Sequence, residues 1–232
     1  MLARRDPMSM PAELAPRRFP FIVFDWDGTL IDSTTIIADS LQQACRDLGE
    51  PVPTDIDARY VIGLGLSDAL KHVAPGLTPD RYPELAARYR HHFVTRDAQI
   101  SLYPGVRELL ADLVTAGFLL GIATGKSRAG LDRALAQHGI GALFAATRCA
   151  DEGFPKPHPD MLEQLIDRVG VVASETLMVG DTTHDIELAR NAGASALAVA
   201  YGAHGADGLG ALAPLATLHS IAELRAWLVA HA

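Results

Sequence analysis

The chain has 232 residues, with 20 lysines and arginines against 28 aspartates and glutamates, so its formal net charge is −8. Hydrophobic residues make up 49% and charged residues 21% of the chain, a globular composition that argues against a disordered or fibrous protein. An acidic chain without a run of basic residues is a poor partner for nucleic acid or an anionic membrane. The length predicts one large domain, or one domain that carries a smaller insertion.

The N-terminal residues and the cysteines indicate the compartment. Residues 1–18 contain four arginines but no apolar stretch, so we interpret them as a disordered leader and not as a secretory signal. The longest apolar runs are far shorter than the roughly 20 residues that a membrane span needs. Cys45 and Cys149 lie outside any metal-binding spacing, which is typical of buried thiols in a reducing compartment. We expect a cytoplasmic monomer or homodimer.

Short apolar runs that alternate with helical patterns predict the fold. The runs that predict buried strands are 21–24, 118–123, 176–179 and 195–200. The helical patterns are 104–116, 159–169, 185–192 and a last helix that begins at the capping box Ser220 to Glu223. The alternation predicts an α/β fold with a doubly wound, parallel, Rossmann-like sheet. Each run ends in a polar cluster with glycine, and ligands of such sheets bind at the carboxyl ends of the strands.

The stretch between the first two predicted strands breaks this alternation, because its pattern is helical throughout. The amphipathic stretches there are 34–48, 57–73 and 80–97. We therefore predict a core domain formed by residues 19–33 and 103–232, and a helical cap domain, residues 34–102, inserted at the active end of the sheet. The glycine- and alanine-rich residues 202–216 are interpreted as a surface loop.

Two aspartates follow the first predicted strand. Asp25 and Asp27 are two residues apart, so their side chains are expected to point to roughly the same side. Carboxylates this close repel each other unless a cation or a proton neutralises one of them. The pair suits a nucleophile or metal ligand beside a general acid/base, and an ordinary Asp-Gly-Thr turn is the alternative interpretation.

The next two clusters offer groups that bind anions. Thr124-Gly125-Lys126 follows the second predicted strand and presents a hydroxyl and backbone N–H groups at a helix N-terminus. Lys156 lies between two prolines just before a helix, which indicates a positive charge held in place. Taken alone, the first cluster is also an ordinary way to leave a strand, and the second is also a solvated lysine in a turn.

The fourth cluster is Gly180-Asp181-Thr-Thr-His-Asp185, at another strand-to-helix turn. Asp181 and Asp185 offer oxygen ligands to a hard cation such as Mg²⁺, although both also suit a helix N-cap. Together the four clusters supply a nucleophile, a second acid, an anion-binding hydroxyl, a fixed lysine and a metal-binding acid at one sheet edge. Phosphoryl transfer needs this set, because it depends on in-line positioning and on neutralising the phosphate oxygens.

The four clusters, in this order, resemble the four motifs of the haloacid dehalogenase superfamily, from about residue 20 to residue 200. The helical insert is similar to that family's cap of the helical-bundle type. The segments most similar to the phosphoglycolate phosphatase-like branch are Thr29-Leu-Ile-Asp-Ser33, Ile62-Gly-Leu-Gly65 and Thr124-Gly-Lys126. Many members of that branch carry Thr-Asn-Lys at the second motif, so Gly125 is a departure. Dehalogenases lack the second acid that this chain has at Asp27.

The resemblance implies roles for the residues that match these motifs. Asp25 would attack the substrate phosphorus and form an aspartyl-phosphate, and Asp27 would protonate the leaving oxygen and then activate water. Thr124 and the Gly125 N–H would bind the phosphoryl oxygens. Lys156 would neutralise charge on the nucleophile and the phosphate.

The resemblance also implies a metal site and an activity. Mg²⁺ would lie on the Asp25 carboxylate, the Asp27 main-chain carbonyl and Asp181, and Asp185 would orient this site or bind the ion through water. The expected function is a Mg²⁺-dependent phosphatase of a small metabolite, 2-phosphoglycolate or a related phosphomonoester.

Two other functions remain open at this point. A phosphomutase of the β-phosphoglucomutase type uses the same four clusters, and a non-catalytic phosphoester-binding protein would be expected to have lost one of their acids or the lysine. Five basic residues of the insert are candidates for contact with an anionic substrate tail, or are solvated charges: Arg59, Lys71, Arg81, Arg88 and Arg90.

Overall fold

A computed structural model describes residues 17–232, so most of the predicted leader (residues 1–18) lies outside the described residues. Arg17, at the start of the described part, donates a hydrogen bond to the Gly117 carbonyl at 2.8 Å. Among residues 17–232, no helix combines the length and the apolar composition that crossing a bilayer would require.

Six strands of the described chain form one sheet in which all neighbours are parallel. The strands are β1 (Phe21–Phe24), β2 (Leu119–Thr124), β3 (Ala146–Cys149), β4 (Thr176–Gly180), β5 (Ser195–Val199) and β6 (Thr217–Leu218). Their order across the sheet is β3-β2-β1-β4-β5-β6. This arrangement confirms the predicted α/β, Rossmann-like fold.

Helices alternate with the strands and cover both faces of the sheet. They are α1 (Thr34–Asp47), α2 (Asp55–Tyr60), α3 (Leu66–Val73), α4 (Tyr82–Val94), α5 (Val106–Thr115), α6 (Arg128–His138), α7 (Asp160–Val169), α8 (Thr183–Asn191), α9 (Ala206–Gly210) and α10 (Ile221–His231). On β1, Phe21 and Val23 pack in the cluster formed by α7 and α8. Ile22 and Phe24 pack on the opposite side, with α5 and α10. Burial on both faces is the reason that β1 is apolar at every position.

The sheet order places the polar clusters side by side. The chain runs outward from β1 to β2 and β3 and then returns to β4 on the other side of β1, so the direction of strand order reverses at β1. Asp25, Thr124 and Asp181 follow or end the three neighbouring strands β1, β2 and β4 at the same edge of the sheet. A crevice at such a reversal point is where open α/β sheets bind ligands.

Residues 34–102, between β1 and β2, contain helices α1 to α4 and, apart from an isolated bridge, no strand. The two ends of this stretch run side by side, because Ile31 forms an antiparallel bridge with Leu102. The Asp32 N–H donates to the Ser101 carbonyl at 3.0 Å, which strengthens this pairing. We call residues 34–102 the helical segment.

Several local predictions were wrong. The amphipathic stretch 57–73 is two helices, α2 and α3, separated by a turn at 61–65 in which Gly63 has a φ of +91°. The edge strands β3 and β6 were not predicted, and α6 was expected only as a helix after the second motif, without bounds. The two central residues of β3 are only partly buried, so its apolar signal is weak. Residues 202–216 are not loop throughout, since they contain the short helix α9, whose Leu209 is buried.

Candidate active site

A buried lysine joins two of the predicted acids. Lys156 Nζ lies 2.6 Å from Asp25 Oδ1 and 2.6 Å from Asp185 Oδ1, and all three side chains are buried. The loop that carries Lys156 is held from the other side, because Asn191 Nδ2 donates to the Pro157 carbonyl at 2.9 Å. Burial would lower the pKa of Lys156, but the charges of Asp185 and Asp25 outweigh burial and raise it above its ordinary value. Lys156 is therefore held as a positive charge between Asp25 and Asp185.

Asp181 is held by donors on two neighbouring loops. Thr29 Oγ1 donates to Asp181 Oδ1 at 2.7 Å, and the Ala203 N–H donates to Oδ2 at 2.7 Å. Gly28 has a φ of +89°, and a Cβ at this position would overlap Asp181 Oδ2. The Asp-Gly-Thr sequence after β1 therefore helps to position Asp181, because Gly28 leaves room for its carboxylate and Thr29 orients it by a hydrogen bond.

Asp185 takes part both in capping helix α8 and in the contact with Lys156. Its Oδ2 accepts hydrogen bonds from the Thr182 N–H at 3.0 Å and from Thr182 Oγ1 at 2.6 Å, which completes a capping box at the start of α8. Its Oδ1 binds Lys156. Because both oxygens already have protein partners, the Asp185 side chain is held rigidly beside Asp25.

The three buried acids form a cluster that could bind a cation. One carboxylate oxygen from each of Asp25, Asp181 and Asp185 lies within 4.8 Å of the others. Three carboxylates and the single ammonium of Lys156 leave an excess of two formal negative charges in a buried site. Asp25 Oδ2 is buried and has no hydrogen-bond partner among the described residues. An unpartnered carboxylate oxygen and a surplus of two negative charges fit a divalent cation with a preference for oxygen ligands.

The pKa values of two of these acids are raised. Burial raises the pKa of Asp25 well above its ordinary value, and the charges of Asp185 and Asp181 raise it further against the opposing effect of Lys156. Burial and the charge of Asp185 raise the pKa of Asp181 to about 7. Burial is the largest cause of both shifts, and the charge of the neighbouring carboxylates adds to it.

Asp27 points to a different partner from Asp25. Both of its oxygens accept hydrogen bonds from Lys126 Nζ, at 3.0 and 3.1 Å, and Oδ1 also accepts one from Ser33 Oγ at 2.9 Å. Lys126 Nζ lies 4.7 Å from the ring centroid of Phe93 on α4. Three residues of the site were not predicted, although all of them lie within the motifs identified in the sequence: Lys126, Ser33 and Thr29.

The second motif lies under the helical segment. Thr124 is buried, and its Oγ1 accepts a hydrogen bond from the Lys126 N–H at 3.1 Å. A Cβ built on Gly125 would lie 2.5 Å from the carbonyl oxygens of both Gly63 and Leu64. The turn at 61–65 therefore rests directly on Gly125, and the helical segment covers the carboxyl ends of the strands.

Comparison with known proteins is consistent with this geometry. A family model described as haloacid dehalogenase-like hydrolase matches residues 22–199. The "probable phosphatase IndB" of Dickeya dadantii is 36% identical over 190 residues, which cover 80% of this chain and 83% of that protein. The phosphoglycolate phosphatase of Vibrio cholerae is 37% identical over 192 residues, which cover 78% of this chain and 84% of that protein.

A solved structure is similar to almost the whole described chain. A "predicted phosphoglycolate phosphatase" from Haemophilus somnus superimposes with a TM-score of 0.79 at 25% sequence identity. The superposition covers 90% of this chain and 98% of that one. The likeness therefore includes the helical segment as well as the sheet.

Proposed function

Because this chain belongs to the haloacid dehalogenase-like hydrolase family and is a phosphoric monoester hydrolase, we propose that it cleaves a small phosphate monoester through an aspartyl-phosphate on Asp25, with Mg²⁺ as cofactor. The main support for the proposal is the different environment of the two Asp25 carboxylate oxygens. Lys156 holds Oδ1, while Oδ2 is buried without a partner in a cluster with surplus negative charge. Such an oxygen is oriented but not occupied, as a nucleophile or metal ligand must be.

The proposed reaction has two steps. An oxygen of Asp25 attacks phosphorus, a new P–O bond forms, and the ester P–O bond breaks as Asp27 gives a proton to the leaving alcohol. Asp27 then takes a proton from a water molecule that attacks the same phosphorus, which releases phosphate and restores the Asp25 carboxylate. The Thr124 hydroxyl and the Gly125 N–H bind the phosphoryl oxygens, and Lys156 neutralises negative charge on them.

The donor set fits Mg²⁺. We propose that the carboxylates of Asp25 and Asp181 and the main-chain carbonyl of Asp27 hold the ion, while Asp185 orients the site or binds the ion through water. When bound, Mg²⁺ would neutralise charge on the phosphate oxygens. The hydrogen bonds from Thr29 and Ala203 already hold Asp181 in place, so little rearrangement of this ligand is needed.

We propose that the helical segment, residues 34–102, is a cap domain on a core formed by residues 19–33 and 103–232. The paired chain ends at Ile31 and Leu102 support this division, because they allow the segment to move on two adjacent linkers. A cap that closes over Asp25 and Asp27 excludes bulk water during phosphoryl transfer. The free, buried thiols of Cys45 and Cys149 support our placement of the enzyme in the cytoplasm.

The proposed function is tested by measuring phosphate release from a panel of esters in Mg²⁺ and in EDTA. The panel contains 2-phosphoglycolate, which is the substrate named for several relatives, together with sugar phosphates, nucleotides and pyrophosphate. We expect release in Mg²⁺, loss of release in EDTA, and recovery when Mg²⁺ is restored. Release that is unaffected by EDTA would contradict the metal requirement. Conversion of a sugar phosphate that needs a sugar bisphosphate and releases little phosphate would establish the phosphomutase instead.

Mg²⁺ is expected to raise the melting temperature more at pH 8 than at pH 6. The pKa of Asp181 rises on folding from 3.8 to about 7, so the metal-free protein loses stability as the pH rises through this window. Below about pH 7 a proton competes with the ion for Asp181, and the apparent affinity falls by up to about tenfold per pH unit. Differential scanning fluorimetry with and without Mg²⁺ measures the effect. An equal Mg²⁺ shift at both pH values would contradict the prediction, and Asp181→Asn is expected to remove most of the shift.

Replacing Gly125 by alanine is expected to lower kcat/KM by roughly 5- to 150-fold. The added Cβ would meet the Gly63 and Leu64 carbonyls, so the turn at 61–65 would have to move, and such overpacking costs about 1–3 kcal/mol. Steady-state kinetics measure the effect. The matched control is Gly208→Ala on α9, where a Cβ meets nothing within 4 Å. Equal kinetics for the two variants would show that contact between the turn and Gly125 does not matter for turnover.

A further inference from the structure

A cavity of about 730 Å³ opens from Asp25 and Asp27 between the helical segment and the sheet edge. Pockets that hold drug-sized ligands have volumes of roughly 300–1,000 Å³. A two-carbon ester such as 2-phosphoglycolate would fill only a small part of this space and leave the rest to water. The size of the cavity therefore favours an ester with a larger alcohol.

The wall that the helical segment contributes is apolar. It is formed mainly by Ile37, Leu41, Leu64, Leu66, Tyr89 and Phe93. The rings of Tyr89 and Phe93 stack with their centroids 5.9 Å apart and their planes 26° from parallel. Phe93 also contacts the Lys126 ammonium beside Asp27, so this wall begins close to the proposed acid/base. The alcohol that leaves next to Asp27 would lie against these side chains.

Two of the three cations that line the cavity already have acidic partners. Of the five basic residues that the sequence offered for this role, only Arg90 is among the described lining residues, and it is exposed. Lys126 is bound by both oxygens of Asp27, and Arg133 pairs with Asp97 at 3.1 Å.

Two further acids also line the cavity. Asp68 and Asp151 add negative charge beyond the catalytic pair. The carboxylate of 2-phosphoglycolate would therefore exchange water for apolar and acidic surroundings, which is unfavourable. A neutral, apolar group in the same place would gain free energy from burial.

We infer that this site selects phosphate monoesters whose alcohol carries an apolar group, a butyl or longer chain or an aromatic ring, over 2-phosphoglycolate. This inference rests on the proposed phosphatase function and names its substrate class. The phosphate would bind at Asp25, Thr124 and Lys156, and the apolar group would lie against Tyr89 and Phe93.

A series of unbranched alkyl phosphates tests the inference on the unmodified enzyme with Mg²⁺. Ethyl, butyl and hexyl phosphate have leaving alcohols of nearly equal acidity. Differences in kcat/KM among them therefore measure burial of the alkyl chain and not the reactivity of the ester bond. Each fully buried methylene is worth up to about fourfold, so we expect kcat/KM to rise by at least about tenfold from ethyl to hexyl phosphate. Hexyl phosphate is also expected to be a better substrate than 2-phosphoglycolate.

The outcomes separate this inference from the function on which it rests. Phosphate release that is independent of chain length, or fastest from 2-phosphoglycolate, would overturn the inference and leave the proposed phosphatase standing. Failure to release phosphate from any ester in Mg²⁺ would overturn both.

Two matched variants locate the effect in the cavity. Val94 lines the cavity and is 50% exposed, whereas Ile56 is 80% exposed on α2 of the same segment and is not among the lining residues. Val94→Asp is expected to lower the ratio of hexyl to ethyl phosphate kcat/KM by at least about fourfold, because a charge would face the alkyl chain. Ile56→Asp adds the same charge and is expected to leave the ratio unchanged. Equal ratios of hexyl to ethyl phosphate kcat/KM in the two variants would show that the alkyl chain of the substrate lies outside the cavity.

Discussion

Replacing Asp25 by asparagine is expected to lower kcat by at least about 10⁴-fold, because an amide cannot attack phosphorus to form the acyl phosphate. The substitution keeps the size of the side chain and removes one charge from a buried cluster with a surplus of negative charge. Lys156 keeps Asp185 as a partner at 2.6 Å, so the variant is expected to fold. Phosphate release measured at saturating substrate gives the loss of kcat directly.

The covalent step has a second readout. A substrate labelled with radioactive phosphorus and quenched with acid is expected to label the unmodified enzyme and not the Asp25→Asn variant. Asp32→Asn is the matched control, since Asp32 is an exposed acid of the same motif and does not line the cavity. A variant at Asp25 that retained more than about one-hundredth of the activity would contradict nucleophilic catalysis by this residue.

The parts of the fold that the sequence predicted well are those in which local pattern and burial agree. β1 is buried on both faces, so its four apolar residues identified it, and the polar residues after β1, β2 and β4 could be placed at one sheet edge. The edge strand β3 is half-buried, so its pattern, Ala-Thr-Arg-Cys, resembles a loop. Its two central residues are polar and only partly buried, which explains why this strand was missed.

The site contacts that could not be predicted join residues far apart in the chain. Lys126 binds Asp27 across 99 residues, and no local pattern identifies this lysine. Lys156 was identified by its two flanking prolines, but only the resemblance linked it to Asp25, 131 residues away. The break between α2 and α3 was missed although Gly63 is a local signal for it, since its φ is +91°. The turn at 61–65 also lies against Gly125.

Replacing Lys156 by methionine is expected to impair both catalysis and folding. The ammonium lies between Asp25 and Asp185, and its loss would leave three buried carboxylates with no cation from the protein. Removing one partner of a buried ion pair destabilises a protein by about 3–5 kcal/mol. Loss of a preorganised charge on the transferring phosphoryl group lowers kcat by about 10²–10³-fold.

The pH dependence of stability separates this electrostatic role from simple packing. Without the ammonium, the pKa of Asp25 in the folded variant is expected to rise further above its ordinary value, because Lys156 is the main group that lowers it. A carboxyl group whose pKa is raised on folding loses stabilising free energy as the pH increases. Urea unfolding in EDTA is therefore expected to show a larger loss of stability between pH 5 and pH 8 for Lys156→Met than for the unmodified protein.

Lys71→Met is the control for this experiment, because Lys71 is an exposed lysine whose partner, Asp68, lies 3.4 Å away on the surface. Exposed pairs of this kind contribute less than about 1 kcal/mol, so the control is expected to keep the stability of the unmodified protein at both pH values. Restoring Mg²⁺ is expected to recover more stability in Lys156→Met at pH 8 than at pH 5, since the cation would then be the sole compensation for the buried carboxylates. If Lys156→Met loses the same free energy of unfolding at both pH values, the lysine side chain stabilises the site by packing and not by its charge.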